Sequence, residues 1–307
     1  MKKFFSYIWR KRAAYLMVAP LIIGVLIFCY YPPISGIMLS FTNKTISLSD
    51  KVKFVWIDNY KAIFSDPIFL NSFKSMLIIQ IPRLITGIFV PLIYAEIIFN
   101  MKSLKAQSVY RLLVLLPVVA PGVVFNLVWK QIYNSDPSAL MNSLVRTFGL
   151  LGENEGINWL NAIKPAHTIF AILFMGFPWI GGSQVLVYMA GLLNIPKEMF
   201  EAADLDGAGA FKKIWYVHIP LVSGQIRYFL IFGIIGGLQD YGTQVVLTKG
   251  GPGYSTYVPG YYMYELMYSH GEYGKASAIG VVLFVIILAL TIISFKFVKF
   301  GGSKEDV

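Results

Sequence analysis

Residues 193–221 read LNIPKEMFEAADLDGAGAFKKIWYVHIPL. Pro196 suits a first helical position, where its missing N–H has no intrahelical acceptor to meet. Glu198 and Glu201 fall in the opening turns, where the helix dipole favours negative charge. Gly207 and Gly209 then permit a bend that residues with a Cβ make only at a cost. Phe211, Ile214, Trp215 and His218 recur at the i, i+3, i+4, i+7 spacing of one helical face, and Pro220 marks the entry into the next apolar run. The stretch predicts two short helices joined by a sharp turn and lying at a membrane surface. Shape alone leaves open whether the pair anchors a loop or does more.

Working outward, the flanks of this stretch are apolar, and so is most of the chain. Of its 307 residues 56% are hydrophobic and 14% charged, against about 25% charged in a soluble domain. Crossing the hydrocarbon takes about 20 mostly apolar residues, and six runs qualify, near 13–41, 72–99, 108–133, 166–192, 222–247 and 276–298. The predicted fold class is an all-α integral membrane protein of six transmembrane helices. Residues 1–12 form a basic N-terminal segment and 13–307 one transmembrane domain, with 193–221 as a loop within it. The start, MKKFFSYIWRKR, is similar to a signal peptide, but the run behind it is too long for one, so it reads as an uncleaved first helix.

The net charge of +10 does not imply nucleic acid, which asks for a basic face on a polar domain. Here the basic residues sit in short segments between apolar runs: Lys2, Lys3, Arg10, Lys11 and Arg12; Lys102, Lys105 and Arg111; Lys197, Lys212 and Lys213; Lys296, Lys299 and Lys304. With six spans all of them fall on one side, which the positive-inside rule makes the cytoplasm. Both termini are then cytoplasmic, and Trp56, Trp159 and the tyrosines of 254–268 lie outside or at the outer interface. Cys29 stands alone, so no intramolecular disulfide forms. His167, His218 and His270 have no ligand spacing, and no metal site is expected. Pro82, Pro91, Pro117, Pro121 and Pro178 break the second, third and fourth runs, and Gly233, Gly236 and Gly237 loosen the fifth. Broken backbone at membrane depth is tolerated where it is buried in protein or lines a water-filled cavity.

Glu201-Ala202-Ala203 followed by Gly207 and by Ile219-Pro220 resembles the EAA signature of binding-protein-dependent ABC importer permeases, with a minor variation at its close. The likeness extends along nearly the whole chain. Phe54-Val55-Trp56-Ile57-Asp58-Asn59-Tyr60 is similar to the F-V-G-L-D-N-Y stretch of carbohydrate-type permeases. Arg111 with Leu116-Pro117 is similar to the opening of their third span, Leu247 to Gly253 to their L-T-x-G-G-P turn, and Tyr273 to Ala278 to their F-G-Y-A-S-A entry into the last helix. The chain resembles the larger permease subunit of maltose-type sugar importers.

That resemblance implies a type I ABC importer permease fold with a cytoplasmic coupling helix pair in a prokaryotic cell (inner) membrane. It implies that Glu201, Ala202, Ala203, Asp204 and Gly207 meet a separate ATPase, Glu201 pairing with a basic residue of its groove. The implied partners are an ATPase dimer, which binds ATP and Mg, a second permease subunit and an extracellular solute-binding protein. The chain itself has no G-x-x-x-x-G-K-[ST] loop; no cofactor of its own is expected. For the substrate path, an ionisable residue inside a span is a functional candidate by default, which singles out Asp240, flanked by Gln239 and Tyr241. The resemblance adds Gly233 and Gly237 on the same span, and Trp179, Ser183 and Gln184 on the fourth. A pairing of Asp240 with Arg83 or Arg227 that merely holds helices together is the bland alternative.

The expected function is therefore the permease subunit of an ATP-driven importer of a sugar or oligosaccharide. A non-sugar solute such as glycerol phosphate is the nearest alternative. An ion-coupled secondary transporter should show inverted repeats with paired broken helices, and no internal symmetry is evident. A membrane enzyme would need a catalytic constellation, and no H-E-x-x-H, G-x-S-x-G or paired acidic motif is present.

Overall fold

The computed structural model describes residues 11–47, 49 and 51–297, with side chains to Ser294. Lys2, Lys3, Arg10, Lys299 and Lys304 of the charge argument, and the last residue of the predicted sixth span, lie outside the described residues. Within them the chain is all-helical, with a single β-bridge between Thr42 and Phe54. Four helices are long and apolar enough to cross a membrane. They are α1 (Arg12–Ser40), α3 (Pro67–Phe99), α10 (Ser223–Thr248, straight α-helix to Gln239) and α12 (Tyr273–Phe297). Short α2 (Asp58–Phe64) precedes α3.

The third and fourth predicted spans are not continuous. Leu104–Val119 (α4) and Gly122–Ile132 (α5) meet at 89°, because Ala120 and Pro121 leave the helical region, with ψ of 130° and 139°. The fourth run divides into α7 (Pro165–Phe174) and α8 (Gly182–Leu193), since Gly176, Trp179 and Gly181 have φ of +87°, +52° and +57°. These two helices, of 10 and 12 residues, are each too short to span. The count of continuous spans is thus four, or five with the bent pair, not the six expected from hydropathy. A sliding apolar window registers composition and passes over a backbone break flanked by aromatic residues.

The chain forms two compact units. In the unit made of residues 1–66 and 263–282, the end of α1 is tied down by Asn59. Its buried amide donates to the carbonyls of Ser40 and Thr42, both at 2.8 Å, and the Tyr60 hydroxyl meets that of Ser40 at 2.7 Å. The N–H of Gly274 donates to Lys44 O at 2.9 Å, so close that a Cβ on Gly274 would stand 2.1 Å from Thr42 O. Two of the family-like stretches, 54–60 and 273–278, thus each donate to backbone carbonyls in or just after the end of α1.

The other unit, residues 67–262 and 283–307, is built on α3, α8 and α10. Leu92, Ala95 and Ile98 of α3 pack with Val185, Tyr188, Met189 and Leu192 of α8 and with Val114 of α4. Beyond α5, helix α6 (Leu140–Thr147) centres on fully buried Asn142. Its Oδ1 accepts from Ile157 N at 3.1 Å and from the Trp159 indole at 2.8 Å. Trp159 buries its ring beside Tyr133, Met141 and Met175.

Removing the Asn59 amide strands two carbonyls. Asn59→Leu should lower stability by about 2 kcal/mol, read as a fall in the melting temperature of the detergent-solubilised protein; an unchanged Tm would show those carbonyls find other partners.

Candidate functional sites: a polar cleft and a braced loop

Gly233 and Gly237 lie on the face of α10 that meets α3. A Cβ at Gly233 would come within 2.4 Å of Leu84, and one at Gly237 within 3.2 Å of the Gln80 amide oxygen. Close contact along this line leaves an open cleft of about 700 Å³ bounded by α3, α8 and α10. Its polar lining is Gln80, Arg83, Ser183, Gln184, Gln239 and Asp240, and its apolar wall includes Tyr228, Phe229 and Phe232.

Six of the eight substrate-path candidates therefore converge on one cavity: Ser183, Gln184, Gly233, Gly237, Gln239 and Asp240. Trp179 and Tyr241 do not line it. The left-handed backbone at Trp179 turns its indole back to donate to Leu173 O at 3.0 Å, in a smaller pocket that shares Arg83 with the cleft. Helix α10 loses its α-helical path at Asp240, which is extended with ψ of 122°; Tyr241 is thereby turned toward Gly260, where an added Cβ would touch its own Cβ at 3.3 Å. Gln80 and Tyr228 were not anticipated, because neither polarity nor position separates them from ordinary span residues until α3 and α10 are seen together.

Asp240 does pair with Arg83, Oδ2 to Nη1 at 2.9 Å. Both side chains keep more than a quarter of their surface exposed, 28% and 29%, and both face the cavity. Pairing and lining are therefore compatible here. Asp240 Oδ2 also lies 3.5 Å from the Thr243 hydroxyl.

The stretch 193–221 folds as expected up to Gly207 and differently after it. Helix α9 runs from Lys197 to Leu205, with Pro196 as its N-cap and Glu198 in its first turn. It ends in a Schellman motif: Gly207 has φ +68°, Ala208 N donates to Ala203 O at 2.9 Å and Gly207 N to Asp204 O at 3.1 Å. Glycine is required at 207 by its φ; at Gly209, with φ −67°, it is not. Ala203 is buried, whereas Glu201, Ala202 and Leu205 are exposed, Leu205 by 89%. Asp204 pairs with Lys213 across the turn and braces the two arms.

After Ala210–Lys213 the chain passes through a π-turn, Ile214–His218. The wider turn shifts the register of the expected apolar face. His218 is buried, but Phe211 and Trp215 are exposed. Among the described residues no cluster of three His, Cys, Asp or Glu could hold a metal.

The charge pair gives a measurable expectation. A double-mutant cycle of Arg83→Ala and Asp240→Ala should yield a coupling of about 1 kcal/mol, the value for a part-exposed pair. A coupling several times larger would place the pair in a dry interior rather than in an open cleft.

Residues 87–299 match the family described as "Binding-protein-dependent transport system inner membrane component". The arabinooligosaccharides transport system permease protein AraP of Bacillus subtilis is 32% identical over 94% of this chain and 88% of its own. The multiple sugar-binding transport system permease protein MsmF of Streptococcus mutans is 30% identical over 92% of this chain and 93% of its own. Among solved structures, a chain of a bacterial alginate ABC transporter, in complex with an alginate pentasaccharide-bound periplasmic protein, superposes with a TM-score of 0.82. It shares 22% identity over 97% of this chain and 99% of that one, so the two share a fold. A family match over most of the sequence, a relative of such identity along almost its full length and the helical architecture agree: this chain belongs to the binding-protein-dependent transport inner-membrane components, and is a multi-pass membrane subunit of a transporter rather than an enzyme.

Proposed function

We propose that the chain is the permease subunit of an ATP-driven, binding-protein-dependent importer of a sugar or oligosaccharide. The observation that carries the substrate class is the cleft. Amide, hydroxyl and charged groups from Gln80, Arg83, Ser183, Gln184, Gln239 and Asp240 face one cavity beside the rings of Tyr228 and Phe232. A sugar presents a dense ring of hydroxyls with flat apolar faces, and such a wall answers both. The relatives that transport arabinooligosaccharides and multiple sugars support the same class. Arg83, the cation a phosphate ester would seek, is already engaged by Asp240, which favours an uncharged polyol over glycerol phosphate.

In this reading the chain passes the membrane six times, the halves α7 and α8 together making the fourth pass and the bent pair α4 and α5 the third. Both termini and loop 193–221 lie in the cytoplasm of a prokaryotic cell. Residues 193–221 form the coupling pair. Exposed Glu201 and Ala202 present an acidic anchor beside a small residue, with exposed Leu205 as an apolar contact, to a cytoplasmic ATPase dimer, which holds ATP and Mg. Gly207 and the Asp204–Lys213 brace keep the hairpin bent. A second permease subunit completes the translocation path, and an extracellular solute-binding protein delivers the sugar.

Two sets of variants test this in proteoliposomes holding the assembled importer. Glu201→Lys should abolish sugar uptake while the subunit still inserts, and uptake should follow ATP and survive collapse of ion gradients. Gln184→Ala and Gln239→Ala should each lower uptake about three- to tenfold, the worth of one hydrogen bond. Unchanged uptake in both glutamine variants would remove the cleft from the sugar path.

A further inference from the structure

Glu96, near the end of α3, and His218, in the π-turn behind the coupling hairpin, are buried, with 6% and 3% of their surface exposed. They stand 122 residues apart in sequence. His218 Nδ1 donates to both carboxylate oxygens of Glu96, at 3.0 and 2.9 Å. Asn100 supports the pair, its amide donating to Glu96 Oε2 at 3.3 Å and to the Glu96 backbone carbonyl at 2.8 Å. The imidazole edge is held between two rings, Phe99 of α3 at 5.7 Å and Phe200 of the coupling helix at 5.4 Å. His218 O accepts from Val222 N at 2.9 Å at the foot of α10. The His218 side chain thus touches the coupling helix and α3, and its backbone carbonyl meets the helix that follows.

We infer that Glu96 and His218 form the strut through which movement of the coupling hairpin reaches the substrate cleft. The inference rests on the reading of 193–221 as the ATPase-coupling element. Three physical points support it. A buried carboxylate–imidazole pair resists separation, because parting it leaves a charge or a polar group stranded in an apolar setting. Packing alone could slide; a hydrogen bond from Nδ1 shared between the two carboxylate oxygens ties the imidazole to one group on α3. And α3 is the helix that carries Gln80 and Arg83 in the cleft. Arg83 lies 13 residues from Glu96, about 20 Å along a helix, so displacement at one end is felt at the other. Glu96 and His218 touch neither solute nor nucleotide: both are positioning residues, acting through α3 and the hairpin.

The test is the number of ATP molecules hydrolysed per sugar imported, in the reconstituted transporter, beside co-purification of the ATPase. Single substitutions strand a buried partner and risk misfolding. The informative variant therefore replaces both with apolar groups, Glu96→Leu with His218→Phe, which keeps the site filled. The expected result is normal assembly and ATP hydrolysis with the ATP cost per sugar raised about tenfold, within the usual range of coupling between sites. Glu201→Lys is measured in parallel. If Glu201→Lys uncouples while the double variant stays within about twofold of wild type, the pair is packing only and the strut is overturned, though the function stands. If Glu201→Lys leaves coupling intact, the coupling-loop reading fails, and the strut fails with it.

Discussion

The cleft exists because glycine lets its walls approach more closely than any Cβ would allow. A Cβ on Gly182 would stand 1.9 Å from Val114 O, one on Gly191 2.7 Å from the Gln225 amide, and one on Gly233 2.4 Å from Leu84. The first of these is the most severe, because the obstacle is backbone and cannot rotate aside. In lipid there is no hydrophobic force to press helices together, so packing of small residues and interhelical hydrogen bonds decide the contact. Arg83 and Asp240 depend on it directly. They sit on different helices and meet at 2.9 Å; a wider spacing would leave two separate charges in the bundle, each costly at membrane depth.

The same economy of small residues shapes the hairpin. Ala203 is buried while its neighbours Glu201 and Ala202 are exposed, so the E-A-A triplet divides into one residue that seats the helix and two that face outward. Gly207 closes the helix by taking a left-handed conformation that other residues adopt at a penalty, and its N–H, with that of Ala208, satisfies carbonyls which would otherwise be orphaned. The Asp204–Lys213 pair then spans the turn. Asp204 is thus engaged within its own loop, whereas Glu201 is exposed.

What could be read from the sequence was what depends on local composition or spacing. The helical class, the four long apolar helices and the bend at Gly207 are of that kind, and six of the residues that line the cleft came from an intramembrane charge together with the family likeness. What could not be read depends on backbone breaks or distant pairs. The fourth run, 166–192, is as apolar as its neighbours, yet three left-handed residues at 176, 179 and 181 divide it; Trp179 gives no sign in its chemistry that it will adopt φ +52°. Tyr241 was chosen as the neighbour of Asp240 on a continuous helix, and the helix bends at that residue. An α-helical period places Phe211, Ile214, Trp215 and His218 on one face, and the π-turn breaks that period. His218 looked idle because Glu96 is 122 residues away.

Helix α3 shows how one element serves both sites. It runs unbroken from Pro67 to Phe99 with Pro82 and Pro91 inside. Neither proline has an N–H, so the carbonyls of Ile78 and Gly87 cannot be met by residues 82 and 91. Gly87 lines the cleft, where polar side chains are at hand. A proline there weakens the helix where a polar cavity can compensate, and leaves the last turns, with Glu96, Asn100 and the buried residues Leu92, Ala95 and Ile98, firmly packed on α8. The helix thus lacks two backbone hydrogen bonds near the cleft and is closely packed beside the hairpin. In the proposed function, the packed end of α3 meets the coupling element and its proline-containing part meets the substrate.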